Sequence, residues 1–389
     1  MLIFNGVIHT MDGETIDSGF VQVKGTAIVQ VGHMSQLPPG AELDHQVIDA
    51  RGGHVLPGLL DIHCHLGLYG SGTGFEGDDL NEAHDPCTPQ LRALDAVNPM
   101  DPDFREARRA GVTTVLTGPG STNPIAGQSV LLKTTGRVVD RMVVRAPACM
   151  KFALGENPKT TYHKRGAGPM TRMATAALIR ETLTRASDYQ LKWERAQASQ
   201  EEDEPEFDAK LDALRPVMSG RLPAHFHAHR ADDIVTATRL AREFGLECVI
   251  VHSTEGHLIA DYLAKEGVPV ITGPCLTHRS KPELAHLTME NTAVLAQAGV
   301  QVAICTDHPE TPIQHLLLCA ALAARAGMDE EEALAAVTIN AACIAGEGDR
   351  LGSLTEGKDA DILVMDGHPL DWRSKITHVL IDGQEVTQV

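Results

Sequence analysis

Short runs in which apolar and polar residues alternate occur at both ends of the chain. Three such runs before residue 33, each followed by turn residues, predict three β-strands. Two more runs after residue 360 each end in Asp-Gly, a pair that favours tight turns between antiparallel strands. We therefore predict that residues 1–57 and 349–389 together form one small β-sandwich domain.

The middle of the chain, residues 58–348, alternates strand-like apolar runs with amphipathic stretches such as Ile234–Phe244. Strands that alternate with helices imply parallel strands joined by crossover helices, which is the α/β class. Eight strand slots with intervening helices predict a (β/α)8 TIM-like barrel. The predicted strands are Leu56–His65, Thr113–Thr117, Ser129–Lys133, Ala148–Ala153, Ala224–His229, Glu247–His252, Val268–Thr272 and Val300–Thr306.

Two segments interrupt this alternation. Gly67–Pro102 is rich in Gly, Asp and Pro, and we interpret it as a long loop at the active site. Ala174–Met218 is a charged helical insert, and the sequence leaves open whether it is a lid or a subunit contact. Its acidic tract, Glu201–Glu206, is predicted to face solvent.

Charge and composition indicate which kinds of partner the protein can bind. The formal net charge is −19, which argues against a nucleic-acid partner because phosphate binding needs a basic surface. No apolar run has the length of a membrane span, and the eight cysteines are dispersed without a CxxC pair. We expect a cytoplasmic homo-oligomer with reduced thiols, a small-molecule substrate and no membrane partner.

The candidate chemistry begins with His63 and His65, at the end of the first predicted barrel strand. Residues i and i+2 of a strand point to the same side, so the two imidazoles have the spacing to bind one metal ion. Lys151, His227, His252 and Asp307 also lie at the ends of apolar strand-like runs. Functional groups of a (β/α)8 barrel gather at the carboxyl ends of its strands, so we predict that these side chains converge.

Four sequence motifs make the chain resemble the amidohydrolase superfamily. The segment from Val55 to His65 resembles the family's first barrel strand, and the segment from Gly352 to Val364 resembles its C-terminal signature. Gly111–Thr114 and Thr306–Pro309 are similar to its second and eighth strands. Within the superfamily, the chain is most similar to the imidazolonepropionase-like and prolidase-like branch.

The resemblance implies a set of metal ligands and catalytic groups. It implies Zn²⁺, two ions per chain, with Mn²⁺, Fe²⁺ or Co²⁺ as other possible metals. Lys151 would be a carboxylated lysine that bridges the two ions, with Glu156 as a substitute oxygen ligand. His252 and Asp307 would also be catalytic, Asp307 by transferring the proton of the attacking water to the leaving nitrogen. The implied metal ligands are His63, His65, Lys151, His227, His252 and Asp307.

The implied reaction is hydrolysis of a carbon–nitrogen bond in an amide, lactam or peptide-like substrate by a metal-bound hydroxide. One alternative is a mononuclear deaminase or cyclic-amidine hydrolase that uses His63, His65, His227 and Asp307. The fifth strand continues with His229 and Arg230, where deaminase-like and imidazolonepropionase-like relatives carry a glutamate three residues past the ligand. The absence of this glutamate disfavours base deamination and the imidazolonepropionase mechanism. Another alternative is a non-catalytic structural member of the superfamily, but this chain retains every candidate ligand.

Residues near the same strand ends are candidates for substrate binding. A cationic group among them would suit a carboxylate-bearing substrate, because guanidinium groups bind carboxylates through paired hydrogen bonds. His225 lies deeper on the fifth strand, and we interpret it as structural. The candidate substrate-binding residues are His229, Arg230, His278, Arg279, Asn123 and Gln128.

Overall fold

The computed structural model describes residues 1–41, 46–70, 73–198 and 203–386. In chain order its strands are β1 (Leu2–Ile8), β2 (Ile16–Lys24), β3 (Ala27–His33), β4 (Val47–Asp49), β5 (His54–Pro57), β6 (Leu59–Cys64), β7 (Val112–Thr117), β8 (Ile125–Lys133), β9 (Val143–Ala153), β10 (Ala224–Ala228), β11 (Cys248–His252), β12 (Val270–Thr272), β13 (Val302–Ile304), β14 (Ile362–Met365), β15 (Ile376–Ile381) and β16 (Gln384–Glu385). The helices are α1 (Pro102–Arg109), α2 (Glu156–Lys164), α3 (Arg172–Ala198), α4 (Ala209–Met218), α5 (Ala231–Phe244), α6 (Ala260–Glu266), α7 (Asn291–Gln297), α8 (Leu316–Arg325), α9 (Glu330–Ala335) and α10 (Ile339–Ile344).

The two ends of the chain form one sheet. Its strand order is β16-β15-β14-β5-β1-β2-β3, and β4 pairs with β1. The β2–β3 turn and the β15–β16 turn approach each other, because a Cβ atom on Gly383 would lie 2.2 Å from the carbonyl oxygen of Gly25. The sheet therefore folds over a core shared by strands from both termini, which includes Ile3, Val21 and Ile362. We propose that residues 1–57 and 349–389 form a composite domain around this core.

Strands β6 to β13 form the second sheet, which is a nearly closed barrel in the order of the chain. Hydrogen bonds close the gap between β13 and β6. The Asp307 backbone N–H donates to the His63 carbonyl (3.2 Å), and the Thr306 N–H donates to the Asp61 carboxylate (3.1 Å). The barrel predicted from the apolar runs is confirmed.

One barrel strand runs opposite to the prediction. The apolar pattern predicts parallel strands with crossover helices throughout, but β8 is antiparallel to both β7 and β9. The connections before and after β8, residues 118–124 and 134–142, are short and contain no α-helix. Short connections favour antiparallel neighbours, because a parallel neighbour needs a crossover of a dozen or more residues.

The predicted first strand, Leu56–His65, is divided between the two sheets. His54–Pro57 pairs with β14 in the terminal sheet, whereas Leu59–Cys64 pairs with β7 in the barrel. Gly58 lies at the division, where a Cβ atom would lie 2.2 Å from the Thr113 hydroxyl oxygen. The chain can pass from one sheet to the other only because this position has no side chain.

The helical insert packs on the outside of the barrel. Helices α3 and α4 bury Ile179, Leu183 and Leu214 in a core that also contains Phe152 and Phe226 from the barrel strands. Within its acidic tract, Glu201 and Glu202 lie outside the described residues. Among the helices that the structure describes, none is long and apolar enough to cross a membrane.

A buried lysine joins the barrel to the terminal sheet. Lys133, at the end of β8, places Nζ 2.7 Å from an Asp361 carboxylate oxygen and 2.9 Å from Asp359. Asp382 lies slightly farther from Nζ, at 3.3 Å, and is more exposed. Lys133 and Asp361 are both more than 90% buried, so the ammonium compensates a carboxylate that water cannot reach.

We expect Lys133→Met to lower the free energy of unfolding by about 3–5 kcal/mol, because it leaves the buried Asp361 carboxylate without a compensating positive charge. Urea denaturation monitored by circular dichroism measures this change. Asp382→Asn is the matched control, since the Asp382 side chain is 38% exposed and an ion pair in solvent contributes about 0–1 kcal/mol. Equal unfolding midpoints for the two variants would contradict the assignment.

Candidate metal centre

Three side chains from opposite sides of the barrel closure form a first cluster, His63, His65 and Asp307. Asp307 Oδ1 lies 3.2 Å from His63 Nε2 and 3.2 Å from His65 Nε2. One ligand atom from each residue lies within 4.8 Å of the other two, which is close enough for the three to share one metal ion. The i, i+2 spacing at the end of β6 provides the two imidazoles, and the loop after β13 provides the carboxylate.

Three histidines form a second cluster, His227, His229 and His252, with the same spread of ligand atoms. His227 and His229 come from β10 and the residues after it, and His252 ends β11. The His63 and His252 ring centroids are 5.1 Å apart, so the two clusters are neighbours. Both lie at the carboxyl ends of the barrel strands, as the barrel architecture predicts.

Four of these imidazoles are held by hydrogen bonds at Nδ1. His65 Nδ1 lies 2.7 Å from the Gly118 carbonyl oxygen, and His252 Nδ1 lies 2.8 Å from that of Gly273. His227 and His229 contact the hydroxyls of Ser121 (2.8 Å) and Thr254 (2.7 Å). A bond that fixes one ring nitrogen and leaves the other free is the usual arrangement around a metal-binding histidine.

Lys151 reaches the first cluster from deeper in the barrel. Its Cα pairs in register with that of His225, two residues below His227. The side chain is 1% exposed, and Nζ lies 3.2 Å from His63 Nε2. Burial lowers the pKa of the Lys151 ammonium to about 8, so the neutral amine is much more accessible than for a lysine in water.

Burial also favours the neutral form of four histidines of the site. It lowers the pKa of His252 to about 4 and those of His63, His227 and His229 well below the ordinary histidine value. Burial opposes ionisation of Asp307, but His252, His63 and His65 outweigh it and hold the pKa of its carboxyl well below the ordinary value. Neutral imidazoles and an ionised carboxylate form a donor set that fits a divalent cation.

The backbone adopts an unusual conformation at this centre. His252, Ser253 and Asp307 have φ angles of 76°, 48° and 53°, in the left-handed region that non-glycine residues rarely adopt. Such conformations persist where surrounding structure enforces them, and they are frequent at functional sites. Here they turn the His252 and Asp307 side chains toward the barrel axis at the strand ends.

A cavity of about 450 Å³ opens above the two clusters, a size typical of sites for small ligands. His65, His227, His229 and Asp307 line its floor. Residues of the long 67–102 loop, such as Tyr69 and Asn81, line its rim, in agreement with the predicted position of that loop. The rest of its wall comes from the loops after β7, β12 and β13 and from the start of α2, and includes Ser121, Asn157, Lys281 and Glu310.

A model of the amidohydrolase family matches residues 54–386, which span both the clusters and the cavity. The chain belongs to the amidohydrolase family. This confirms the family predicted from the sequence motifs, and with it the class of hydrolases that act on carbon–nitrogen bonds.

Individual amidohydrolases agree with this membership. An amidohydrolase from Thermotoga maritima MSB8, known from its crystal structure, is 41% identical to this chain in sequence. The two structures match with a TM-score of 0.95 over 100% of both chains. Amidohydrolase tasK from Hapsidospora irregularis is 30% identical over 390 residues, which cover 92% of this chain but 39% of that relative. An imidazolonepropionase from Aromatoleum aromaticum is 29% identical over 365 residues, 87% of this chain and 84% of its own length. Relatives with different named substrates leave the substrate of this amidohydrolase open.

The structure brings the predicted ligands of this amidohydrolase together. Each lies in one of the two clusters or, for Lys151, in contact with one. His225 lies below them; it is 1% exposed, and its ring nitrogens have no hydrogen-bond partner among the described residues. Glu156, the predicted substitute ligand, lies outside both clusters, where its Oε2 is 3.4 Å from the Glu283 backbone nitrogen.

Most of the predicted substrate-binding residues lie elsewhere in the structure. His229 lines the cavity, whereas His278 and Arg279 line a neighbouring one near α8. The Arg279 guanidinium donates to the carbonyls of Ala285 and Leu287, and the Arg230 guanidinium pairs with Asp232. The position of these loops on the rim of the barrel predicted that both arginines lie beside the two clusters. In the structure each guanidinium instead turns toward an oxygen of a residue nearby in the chain.

Asn123 and Gln128 bind the protein itself. Asn123 is 1% exposed; it donates to the Thr88 hydroxyl (2.8 Å) and accepts from the Tyr162 hydroxyl (2.6 Å). Gln128 donates to the Pro89 carbonyl. Both side chains therefore hold the long 67–102 loop against the barrel, in the positions where the sequence suggested substrate contacts.

Sequence reasoning missed Glu283 altogether. Its side chain is 1% exposed on the loop after β12, where it faces His227 and His229 and pairs with Lys281. A glutamate in a polar loop has no local pattern that indicates burial. Among the described residues, Lys281 is the only lysine or arginine that lines the cavity.

Proposed function

We propose that this amidohydrolase is a dinuclear metal-dependent enzyme that hydrolyses a carbon–nitrogen bond of an amide, lactam or peptide-like small molecule. The observation that carries the proposal is the pair of adjacent donor clusters at the floor of one cavity, with Lys151 in contact with the first. His63, His65 and Asp307 would hold one ion, and His227 and His252 would contribute to the second. Lys151, once carboxylated, would connect them, and zinc is the metal that best suits these nitrogen and oxygen donors.

A divalent ion bound there would acidify a water molecule and polarise the substrate carbonyl. Asp307 lies at the cavity floor and is held ionised by its histidine neighbours, so its carboxylate can take the proton of the attacking water. The same carboxyl can then deliver that proton to the leaving nitrogen. The buried His252 side chain, with its Nε2 unpartnered among the described residues, is placed to contact the developing charge or a metal.

We also propose that the substrate can carry a carboxylate, and the group that supports this is Lys281 rather than an arginine. Its Nζ lines the cavity wall and lies 3.0 Å from the Asn157 side-chain oxygen. N-acyl amino acids and dipeptides combine a carboxylate with an amide bond, whereas lactams and hydantoins test the cyclic neutral class.

The purified enzyme is expected to hold about two divalent ions per chain, as in two-metal hydrolases. Elemental analysis of protein grown with zinc and bicarbonate measures this number. Removal of the ions with a chelator is expected to abolish hydrolysis in a screen of N-acyl amino acids, dipeptides, lactams and hydantoins, and zinc is expected to restore it. One tightly bound ion after saturation with zinc would instead favour the mononuclear deaminase or cyclic-amidine hydrolase.

A further inference from the structure

A buried carboxylate from the loop after β12 lies beside the second cluster. Glu283 Oε1 is 3.7 Å from His229 Nε2 and 3.9 Å from His227 Nε2. Its other oxygen, Oε2, accepts a hydrogen bond from the Glu156 backbone N–H (2.9 Å). The carboxylate is thus anchored through one oxygen and presents the other to the two histidines.

The three histidines leave the same kind of atom unused. Their Nδ1 atoms are occupied by Ser121, Thr254 and the Gly273 carbonyl, so Nε2 is the nitrogen that each can turn to a ligand. His227 Nε2 has a long contact with the Asn157 side-chain nitrogen, at 3.4 Å. His252 is 2% exposed, and its Nε2 has no hydrogen-bond partner among the described residues. A buried polar atom without a partner is costly unless a ligand binds it, which points to an occupant at this position.

We propose that Glu283 is a metal ligand, and that its carboxylate joins the imidazoles of His227, His229 and His252 and the proposed Lys151 carbamate around one ion. The proposal rests on the proposed function, because it assigns one of the two ions to this second cluster. Imidazole nitrogen and carboxylate oxygen are both ligands that zinc binds. The role of His229 changes accordingly, from substrate contact to metal ligand.

The ammonium of Lys281 lies beside the Glu283 oxygen that a metal ion would bind. Its ammonium lies 2.7 Å from Glu283 Oε1, the oxygen that faces the histidines. An ammonium at that oxygen compensates the charge of a carboxylate that is almost fully buried. A divalent ion that binds Glu283 competes with this ammonium, and Lys281 then keeps Asn157 as its partner and faces the cavity, where a substrate carboxylate can reach it.

The test is the affinity of each of the two zinc ions, measured by competition with a chromophoric chelator. Glu283→Gln retains an acceptor for the Glu156 N–H but loses the negative charge. It is expected to lower the affinity for one of the two ions by about 10- to 100-fold. Lys281→Met is expected to raise the affinity for the same ion by about threefold or more, because it removes a competing positive charge. Glu156→Gln is the matched control, because Glu156 is a carboxylate that contacts Glu283 but lies outside both clusters. Its affinity for both zinc ions is expected to equal that of the wild type.

The outcomes separate this proposal from the function on which it rests. Wild-type affinity for both ions in Glu283→Gln would overturn the Glu283 assignment and leave the dinuclear function standing. A wild-type protein that binds one ion would overturn both. Weaker zinc binding in Lys281→Met would show that the Lys281 ammonium does not compete with the metal ion for Glu283. The ion pair of Lys281 and Glu283 would then have a structural role. If Glu283→Gln fails to fold, Glu283→Asp keeps the charge on a shorter side chain, and unchanged zinc affinity there would also count against the assignment.

Discussion

Asp307→Asn is expected to lower kcat by about 10²- to 10⁴-fold while the chain still folds, since this is the usual loss when a proton-transferring group is removed. The amide cannot take a proton from water or return one to the leaving nitrogen. The backbone tolerates the change, because φ of Asp307 is 53° and asparagine adopts this left-handed conformation more readily than most residues. Only the chemistry of the side chain is altered.

The measurement is kcat at saturating zinc with the first active compound from the substrate screen, together with metal analysis of the same samples. Asp382→Asn is the matched control, because Asp382 also has a left-handed φ, 50°, but lies in a turn of the terminal sheet. Its kcat is expected to equal that of the wild type. Normal turnover by folded Asp307→Asn would remove Asp307 from the mechanism.

Lys151→Met is expected to lose one of the two bound ions and about a thousandfold in kcat/KM, which corresponds to about 4 kcal/mol of transition-state stabilisation. The lysine is fully buried within a barrel strand and contacts His63, so its loss removes the proposed bridge between the clusters. Methionine fills a similar volume without a charge, and we expect the metal-free protein to be at least as stable as the wild type.

Lys133→Met provides the contrast, since Lys133 is also deeply buried but lies between the barrel and the terminal sheet. It is expected to lose stability and retain both ions, whereas Lys151→Met retains stability and loses an ion. Carbon-13 NMR after addition of labelled bicarbonate should detect a carbamate in the wild type that is missing in Lys151→Met. A wild type with one ion despite zinc and bicarbonate would contradict the bridging role.

The candidate ligands were predictable because each lies on or near the end of an apolar run that predicts a strand. His63 and His65 share one face of a strand, and Lys151, His227, His252 and Asp307 each lie at or beside the end of a buried run. Strand periodicity determines which side chains face the same way, and the barrel brings strand ends together. The same reasoning does not give the positions of the Arg230 and Arg279 guanidinium groups, because a loop position on the rim does not determine the direction of a long side chain.

The amino-acid sequence by itself determined the family, the barrel and the strand ends that carry the candidate ligands, since each follows from short-range periodicity and motifs. Only the tertiary structure decided the direction of β8, because an apolar run is the same whichever way its strand runs. The tertiary structure likewise placed Glu283 against the second cluster. Burial of a carboxylate depends on partners distant in the chain, here His227, His229 and the N–H of Glu156, and no local pattern encodes such contacts.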